Sequence, residues 1–353
     1  MAEAESIVAE TADRIFADLA DAQTINSAKS DDWKKPLWTA LSEAGLPLSW
    51  VAENCGGSGV TIAEGFSVVS AAGRHALSVP LVETMLGGWL LSQAGIASPD
   101  GAMTVAPASP KDRISLNADG TLSGRARGIP FAKGSKHIAT IAAAPKGYVI
   151  ALVETSACRI DGGESLGNDA SNTVTLNNVK PVTSKPVSKN FTPMSLMLMG
   201  ATVRSLQIAG ALETMFNLSV AYANERVAFE KTIAKFQAIQ HNLAQFAGEV
   251  AAALTAAGSA ADTIANGGND DIMMLEVASA KIRCAEAAEK GAAIAHQVFG
   301  AIGFSMEHIL HRYTLRALAW RDDFGHESYW ATELGKSVAS RGADELWPLL
   351  ASR

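Results

Sequence analysis

Apolar and polar positions divide the chain into three stretches with different periods. Near the start, Val8, Ala12, Ile15, Phe16 and Leu19 recur three to four residues apart, the spacing of one helical face. Trp38, Leu41, Ala44 and Leu46 mark a second helix, with Gly45 near its end. A glycine-dense loop, Val51-Ala52-Glu53-Asn54-Cys55-Gly56-Gly57-Ser58-Gly59, comes next. It lacks a preceding strand and a following Lys-Ser/Thr, so it reads as a turn and not as a phosphate cradle. An apolar helical run follows, TIAEGFSVVSAAGRHALSVPLVETMLGGWLLSQAG, broken at Pro80.

From about residue 101 to 190 the segments shorten and turn β-leaning: MTVAPAS, ISLNADGTLSGRARGIPFA, HIATIAAA, GYVIALVET, CRIDGGE and NTVTLNNVKPV. Asn117-Ala118-Asp119-Gly120 and Asp161-Gly162-Gly163 punctuate them as turns. A small antiparallel barrel or sandwich is expected here. From about residue 191 the helical period returns. One helix is expected over roughly Ser195 to Val227, a second over Thr232 to Ala265 and a third over Ile272 to Phe299, ended by Gly300 to Gly303. The alanine run from Val250 to Ala261 suits close helix packing. The expected class is α+β and mainly α, in three domains: helical over 1–100, β-barrel over 101–190, and a four-helix bundle over 191–353.

Composition narrows the chemistry. The 353 residues are 48% hydrophobic and 18% charged, with a net charge of −7 and no basic block, which argues against nucleic acid as a partner. Cys55, Cys158 and Cys284 are too far apart for a disulfide framework or a metal-ligand set, and they fit a reducing cytoplasm. The N-terminus is acidic and amphipathic, unlike a signal peptide. No uncharged apolar run reaches the length of a membrane span. Neither His311 nor His326 has neighbours at metal-ligand spacing. Long helices rich in Ala, Leu and Met, over 247–265 and 272–299, carry enough apolar surface to predict an oligomer.

One stretch carries specific chemistry: Arg226-Val227-Ala228-Phe229, then Phe236-Gln237-Ala238-Ile239-Gln240. An arginine offers a planar fork of donors to a pyrophosphate, a Phe offers an apolar plate to a purine, and a Gln both donates and accepts. The stretch resembles the R-x-x-F-G and F-Q-x-x-Q segments of acyl-CoA dehydrogenases. Gln297-Val298-Phe299-Gly300-Ala301-Ile302-Gly303-Phe304 resembles that family's Q-x-x-G-G-x-G-F turn. The order helix, β, helical bundle is the family's own. The resemblance implies that Arg226, Phe229, Gln237, Gln297, Gly300 and Gly303 hold the adenine and pyrophosphate half of an FAD bound mainly by a neighbouring subunit. Glu230 after Phe229 and Ala301 after Gly300 depart from the pattern.

The same resemblance implies losses. The family's T-E-P-x-x-G-S-D and W-x-T-N segments, which meet the flavin ring and a phosphate, fall on Val105-Ala106-Pro107-Ala108-Ser109-Pro110 and Ile129-Pro130-Phe131-Ala132-Lys133-Gly134-Ser135. Lys133 and Lys136 are the cations nearest that second segment, and isolated barrel lysines read as solvated. The Glu of the family's Glu-Gly, the general base, falls on Phe324, with Gly325 on its Gly. The alternative place in the first bundle helix falls on Gly200-Ala201. No catalytic residue is therefore assigned. Asp322, Asp323 and Glu327 are the candidates for a relocated base, and solvated pairs with Arg316 and Arg321 are the plainer reading of these acids.

The leading expectation is a subunit that lends adenine-side contacts to a catalytic homologue in an α2β2 tetramer. Acyl-CoA would be the substrate and an electron-transferring flavoprotein the electron acceptor, with no membrane insertion. Two alternatives stay open: a self-sufficient dehydrogenase with a relocated base, and a non-catalytic acyl-CoA-binding or structural oligomer.

Overall fold

The computed structural model describes residues 7–351. Residues 1–6, the first part of the N-terminal stretch read above as acidic, lie outside it. The described residues separate into two compact units: 7–20, 29–69 and 77–200 form one, and 21–28, 70–76 and 201–351 the other.

The helices before the sheet are α1 (Ile7–Leu19), α2 (Ala22–Ser27), α3 (Lys34–Glu43), α4 (Ile62–Arg74) and α5 (Leu81–Ser92). Local chemistry sets their ends. Asp21 caps α2 by accepting the Thr24 amide at 2.8 Å. Thr61 and Glu64 open α4 as a reciprocal capping box, with Thr61 N donating to Glu64 Oε2 at 2.9 Å and Glu64 N donating to Thr61 Oγ1 at 3.2 Å. The glycine-dense loop is a 3-10 turn over Glu53–Cys55, followed by Gly56 at φ 95°, and it leads toward α4.

The sheet of the first unit contains β1 (Met103–Ala106), β2 (Arg113–Leu116), β3 (Leu122–Pro130), β4 (His137–Ala144), β5 (Gly147–Glu154), β6 (Arg159–Asp161), β7 (Ser171–Val179) and β8 (Thr183–Pro186). Its order is β6-β7-β3-β2-β4-β5-β8, with β1 paired to β4. Most neighbours are antiparallel, as the turn signals predict. β1 with β4 is parallel, and so is the single β2–β4 rung, so the sheet is mixed. A parallel pair requires a long crossover, and the segment carrying β2 and β3 supplies it between β1 and β4. Thr84 on α5 ties the helix to the sheet. Its hydroxyl donates to Met103 O at 3.1 Å and accepts from Met103 N at 3.0 Å.

After the sheet come α6 (Pro193–Glu225), which enters the second unit at Ala201, and, within that unit, α7 (Gln237–Ala265), α8 (Asp270–Phe299), α9 (Leu310–Trp320), α10 (Glu327–Arg341) and α11 (Leu346–Ala351). Between α6 and α7 the chain forms a small hairpin, β9 (Val227–Ala228) with β10 (Lys231–Thr232), and a 3-10 turn over Ile233–Lys235. The helix expected from Thr232 therefore begins five residues later, because the hairpin takes up the intervening backbone. Close packing uses small residues. A methyl on Gly291 of α8 would come within 2.6 Å of both Leu212 on α6 and Phe246 on α7. Among the described residues, α6 is the one helix long and apolar enough to cross a membrane, yet its apolar window is 94% buried inside the protein. It is a core helix.

Candidate functional site

Arg226 leaves the end of α6 with its amide donating to Tyr222 O at 2.9 Å, and the hairpin closes where Ile233 N donates to Arg226 O at 2.9 Å. At the tip, Phe229 and Glu230 have φ of 51° and 65°. Two successive left-handed residues make a type I′ reversal, which favours Asn and Gly and strains any other side chain. Phe229 is 90% exposed. Its ring meets Phe236 edge-on at 6.3 Å, and Lys231 Nζ lies 4.4 Å from the Phe236 ring centre. Gln237 is the first residue of α7. Gln297 lies in the last turn of α8, and Gly300 follows at φ 64°, ψ −144° with its amide donating to His296 O. That glycine opens a 3-10 turn over Gly300–Phe304. Gly303 is buried in it, and a methyl there would come 2.8 Å from Phe299 Cβ. Arg226, Gln237 and Gln297 are exposed, and among the described residues their side chains have no hydrogen-bond or ion-pair partner.

The place of the base looks inward. Phe324, between α9 and α10, is 1% exposed and left-handed at φ 54°. Its carbonyl accepts from Trp330 Nε1 at 3.0 Å. A methyl on Gly325 would come within 2.8 Å of both Tyr329 and Trp330, so the turn is tightly filled. Arg204 of α6 is buried; its Nε donates to Asp323 Oδ2 at 2.9 Å and its Nη1 to Gln207. The guanidinium lies 6.0 Å from the Phe324 ring centre. Lys281 of α8 is fully buried and donates to Trp320 O at 2.7 Å. Burial pushes this amine down to about 7, against the pull of Asp323. Burial also raises the Asp323 carboxyl, against Arg204 and Lys281.

Of the three candidate bases, Asp323 is held by Arg204, Glu327 pairs with Arg321 at 2.9 Å, and Asp322 is exposed. Gly200 and Ala201 sit buried in α6. Arg204 and Lys281 escaped the motif reading. Arg204 is a lone cation in an otherwise uncharged helical stretch, ATVRSLQIAG, and that mismatch was an available signal; Lys281 shares EVASAKIRCA with Glu276 and Arg283 and carried no such signal.

The ring-side segments of the first unit offer few donors. Val105 and Ala106 lie buried in β1, and Pro107 and Ala108 are buried after it. Asp112 is buried and accepts the Arg127 amide and guanidinium, both at 2.7 Å. Pro130 has no amide hydrogen, and its carbonyl accepts from Thr104 Oγ1 at 2.7 Å. Phe131 has φ 54°, a conformation that suits Asn and that Phe rarely adopts. Lys133 and Lys136 have exposed side chains. His311 Nδ1 meets His308 O at 2.7 Å, and His326 caps α10 by accepting the Tyr329 amide at 3.2 Å. Among the described residues no group of His, Cys, Asp or Glu could hold a metal ion.

Within the helical unit, exposed Arg226, Gln237 and Gln297 have the donors that suit a pyrophosphate-bearing ligand, while the Phe324 turn is filled by a buried ring and Asp323 and Glu327 are held in ion pairs.

Residues 192–326 match the model of the acyl-CoA dehydrogenase C-terminal domain. Among curated proteins, the acyl-CoA dehydrogenase IpdE2 of Mycobacterium tuberculosis is 26% identical, with 98% of each chain covered. Among solved structures, the ChsE4–ChsE5 complex of Mycobacterium tuberculosis superposes with a TM-score of 0.83 at 22% identity, covering 97% of this chain and 99% of that one. The G363A variant of the Tcur3481–Tcur3483 steroid ACAD gives a TM-score of 0.81 at 23% identity, covering 94% of this chain and 97% of that one. Over residues 192–326 the chain matches the acyl-CoA dehydrogenase C-terminal domain, and along nearly its whole length it is similar to acyl-CoA dehydrogenases in sequence and to that fold in structure.

Proposed function

We propose that this chain is the lending subunit of a two-chain acyl-CoA dehydrogenase, presenting adenine-side contacts to an FAD held by a catalytic partner. One observation carries the reading. In the helical unit Phe324, the residue the resemblance sets against the family's base, is 1% exposed, while Arg226, Gln237 and Gln297 stand exposed and, among the described residues, without side-chain partners. A bound FAD would supply the hydride acceptor for dehydrogenation of an acyl thioester. This chain's residues would grip the other end: Arg226 on the pyrophosphate, Phe229 against the purine, Gln237 and Gln297 as polar clamps, and Gly300 and Gly303 permitting close approach. The carboxylate and the carbonyl-polarising donors would come from the partner.

Further features support the reading. Asp323 and Glu327 are engaged in ion pairs, which disfavours a relocated base. A groove of about 440 Å³ over α7 and α8, lined by Ala251, Thr255, Ala256, Ser259 and Ser279, suits the close approach of a further helix in an α2β2 tetramer. The similarity to the ChsE4–ChsE5 and Tcur3481–Tcur3483 steroid assemblies favours a bulky acyl-CoA, such as a steroid side-chain thioester. Electrons would pass to an electron-transferring flavoprotein. The three free cysteines suit a cytoplasmic setting.

Visible absorbance tests the reading. The chain purified alone is expected to be colourless. Co-expressed with a neighbouring dehydrogenase gene, it is expected in a complex with one flavin per heterodimer, bleached by Arg226→Ala in this chain. A yellow homotetramer that turns over acyl-CoA would sink the proposal.

A further inference from the structure

We propose that Tyr222 is a positioning residue for this cofactor-lending surface: its ring, stacked on Phe299, holds the Arg226 hairpin and the Gln297–Gly303 turn at one fixed spacing. The inference rests on the half-site reading above.

The two gripping segments lie more than sixty residues apart in sequence and on different elements. Among the described residues no hydrogen bond links 226–232 to 297–304. Rings do. Tyr222 sits one helical turn before Arg226 and accepts the Arg226 amide at its carbonyl, at 2.9 Å. Phe299 comes two residues after Gln297 and immediately before Gly300. The Tyr222 and Phe299 rings stack with centroids 4.4 Å apart and planes 27° from parallel. Phe299 also meets His308 at 4.5 Å. On the turn itself His296 stacks on Phe304 at 4.4 Å. Gly303 closes the packing, since a methyl there would press on Phe299 Cβ. The turn is thus braced by rings from α6, from α8 and from the segment before α9.

The geometry matters because an adenine dinucleotide must meet both segments at once. Donors on separate elements grip one ligand only if their spacing is set beforehand, and misplacement by about 1 Å can cost orders of magnitude in function. A stacked aromatic pair is well suited, because it is short-ranged and orientation-dependent. The ring is what the role needs; the hydroxyl is incidental.

The test uses the flavin-loaded complex with the catalytic partner and compares Tyr222→Leu, Tyr222→Phe and Phe216→Leu. Phe216 makes an edge-on pair with Phe246 at 5.6 Å elsewhere in the bundle and controls for lost packing. Tyr222→Leu is expected to weaken FAD affinity about tenfold, with kcat at saturating FAD changed less than about twofold. Tyr222→Phe should restore the affinity. Phe216→Leu should lower stability and leave affinity alone. In the chain alone, amide hydrogen exchange over 301–304 should quicken in Tyr222→Leu and not in Tyr222→Phe.

Wild-type affinity in Tyr222→Leu, beside loss of flavin in Arg226→Ala, would overturn the proposal. An equal loss of affinity in Phe216→Leu would overturn it too, by reducing the role to general packing. If Arg226→Ala itself keeps its flavin, the half-site reading fails. The exchange measurement then decides separately whether Tyr222 braces the turn, and unchanged exchange would end the idea.

Discussion

Arg204 and Asp323, 119 positions apart, meet at 2.9 Å beneath the ring of Phe324. The guanidinium has 3% side-chain exposure and the carboxylate 21%. A cation this deep survives only with a partner, and Asp323 is that partner. The acid nearest the base position is therefore committed to neutralising a buried charge.

Replacing that acid removes its charge from beside the buried cation. Breaking a buried pair costs about 3–5 kcal/mol, and the partial exposure of Asp323 lowers the expectation to about 2–3 kcal/mol for Asp323→Asn. Urea unfolding should show a lower midpoint at unchanged slope. A loss below about 1 kcal/mol would mean that the other partners of Arg204, Gln207 among them, keep the cation satisfied.

Lys281 predicts a pH dependence of folding. Its amine titrates near 7 when folded, against about 10.4 in the unfolded chain. Between those values the unfolded chain binds more protons, so stability rises with pH from about 7 toward 10 and falls on acidification through that window. Lys281→Met should be more stable at pH 7, and its stability should be flatter with pH. Parallel chemical denaturation of both proteins between pH 7 and 9.5 checks this, and equal slopes would refute it.

Glu230 occupies a left-handed position that glycine accepts without strain. Glu230→Gly should relieve about 1 kcal/mol of backbone strain, partly offset by the greater freedom of glycine in the unfolded chain. Thermal melting should rise slightly. A fall would indicate that the Glu230 side chain contributes more than its backbone costs.

Trp330 Nε1 donates a hydrogen bond to the buried Phe324 carbonyl. Trp330→Phe keeps most of the apolar volume and leaves a buried acceptor unmet, at a cost of about 1–3 kcal/mol. Calorimetry that shows no loss would mean that water reaches the carbonyl.

Much of this was legible locally. The order of elements follows from the change of period, since helical and strand spacing are properties of neighbouring residues. The ends of α7 and α8 follow from Gly267-Gly268-Asn269-Asp270 and from Gly300, and the Arg226–Gln240 and Gln297–Phe304 segments stand out by residue type. What only the tertiary structure decided was which distant residues meet. A lone Arg204 or Lys281 looks like any surface cation until α6 and α8 bury it. Tyr222 and Phe299 look like ordinary core rings until they stack. The left-handed backbone at Phe229 and Phe324 runs against local preference; strand pairing on either side of the turn holds it at exposed Phe229, and packing holds it at buried Phe324. Burial and partner choice are sums over contacts far apart in the chain, and a local pattern carries no record of them.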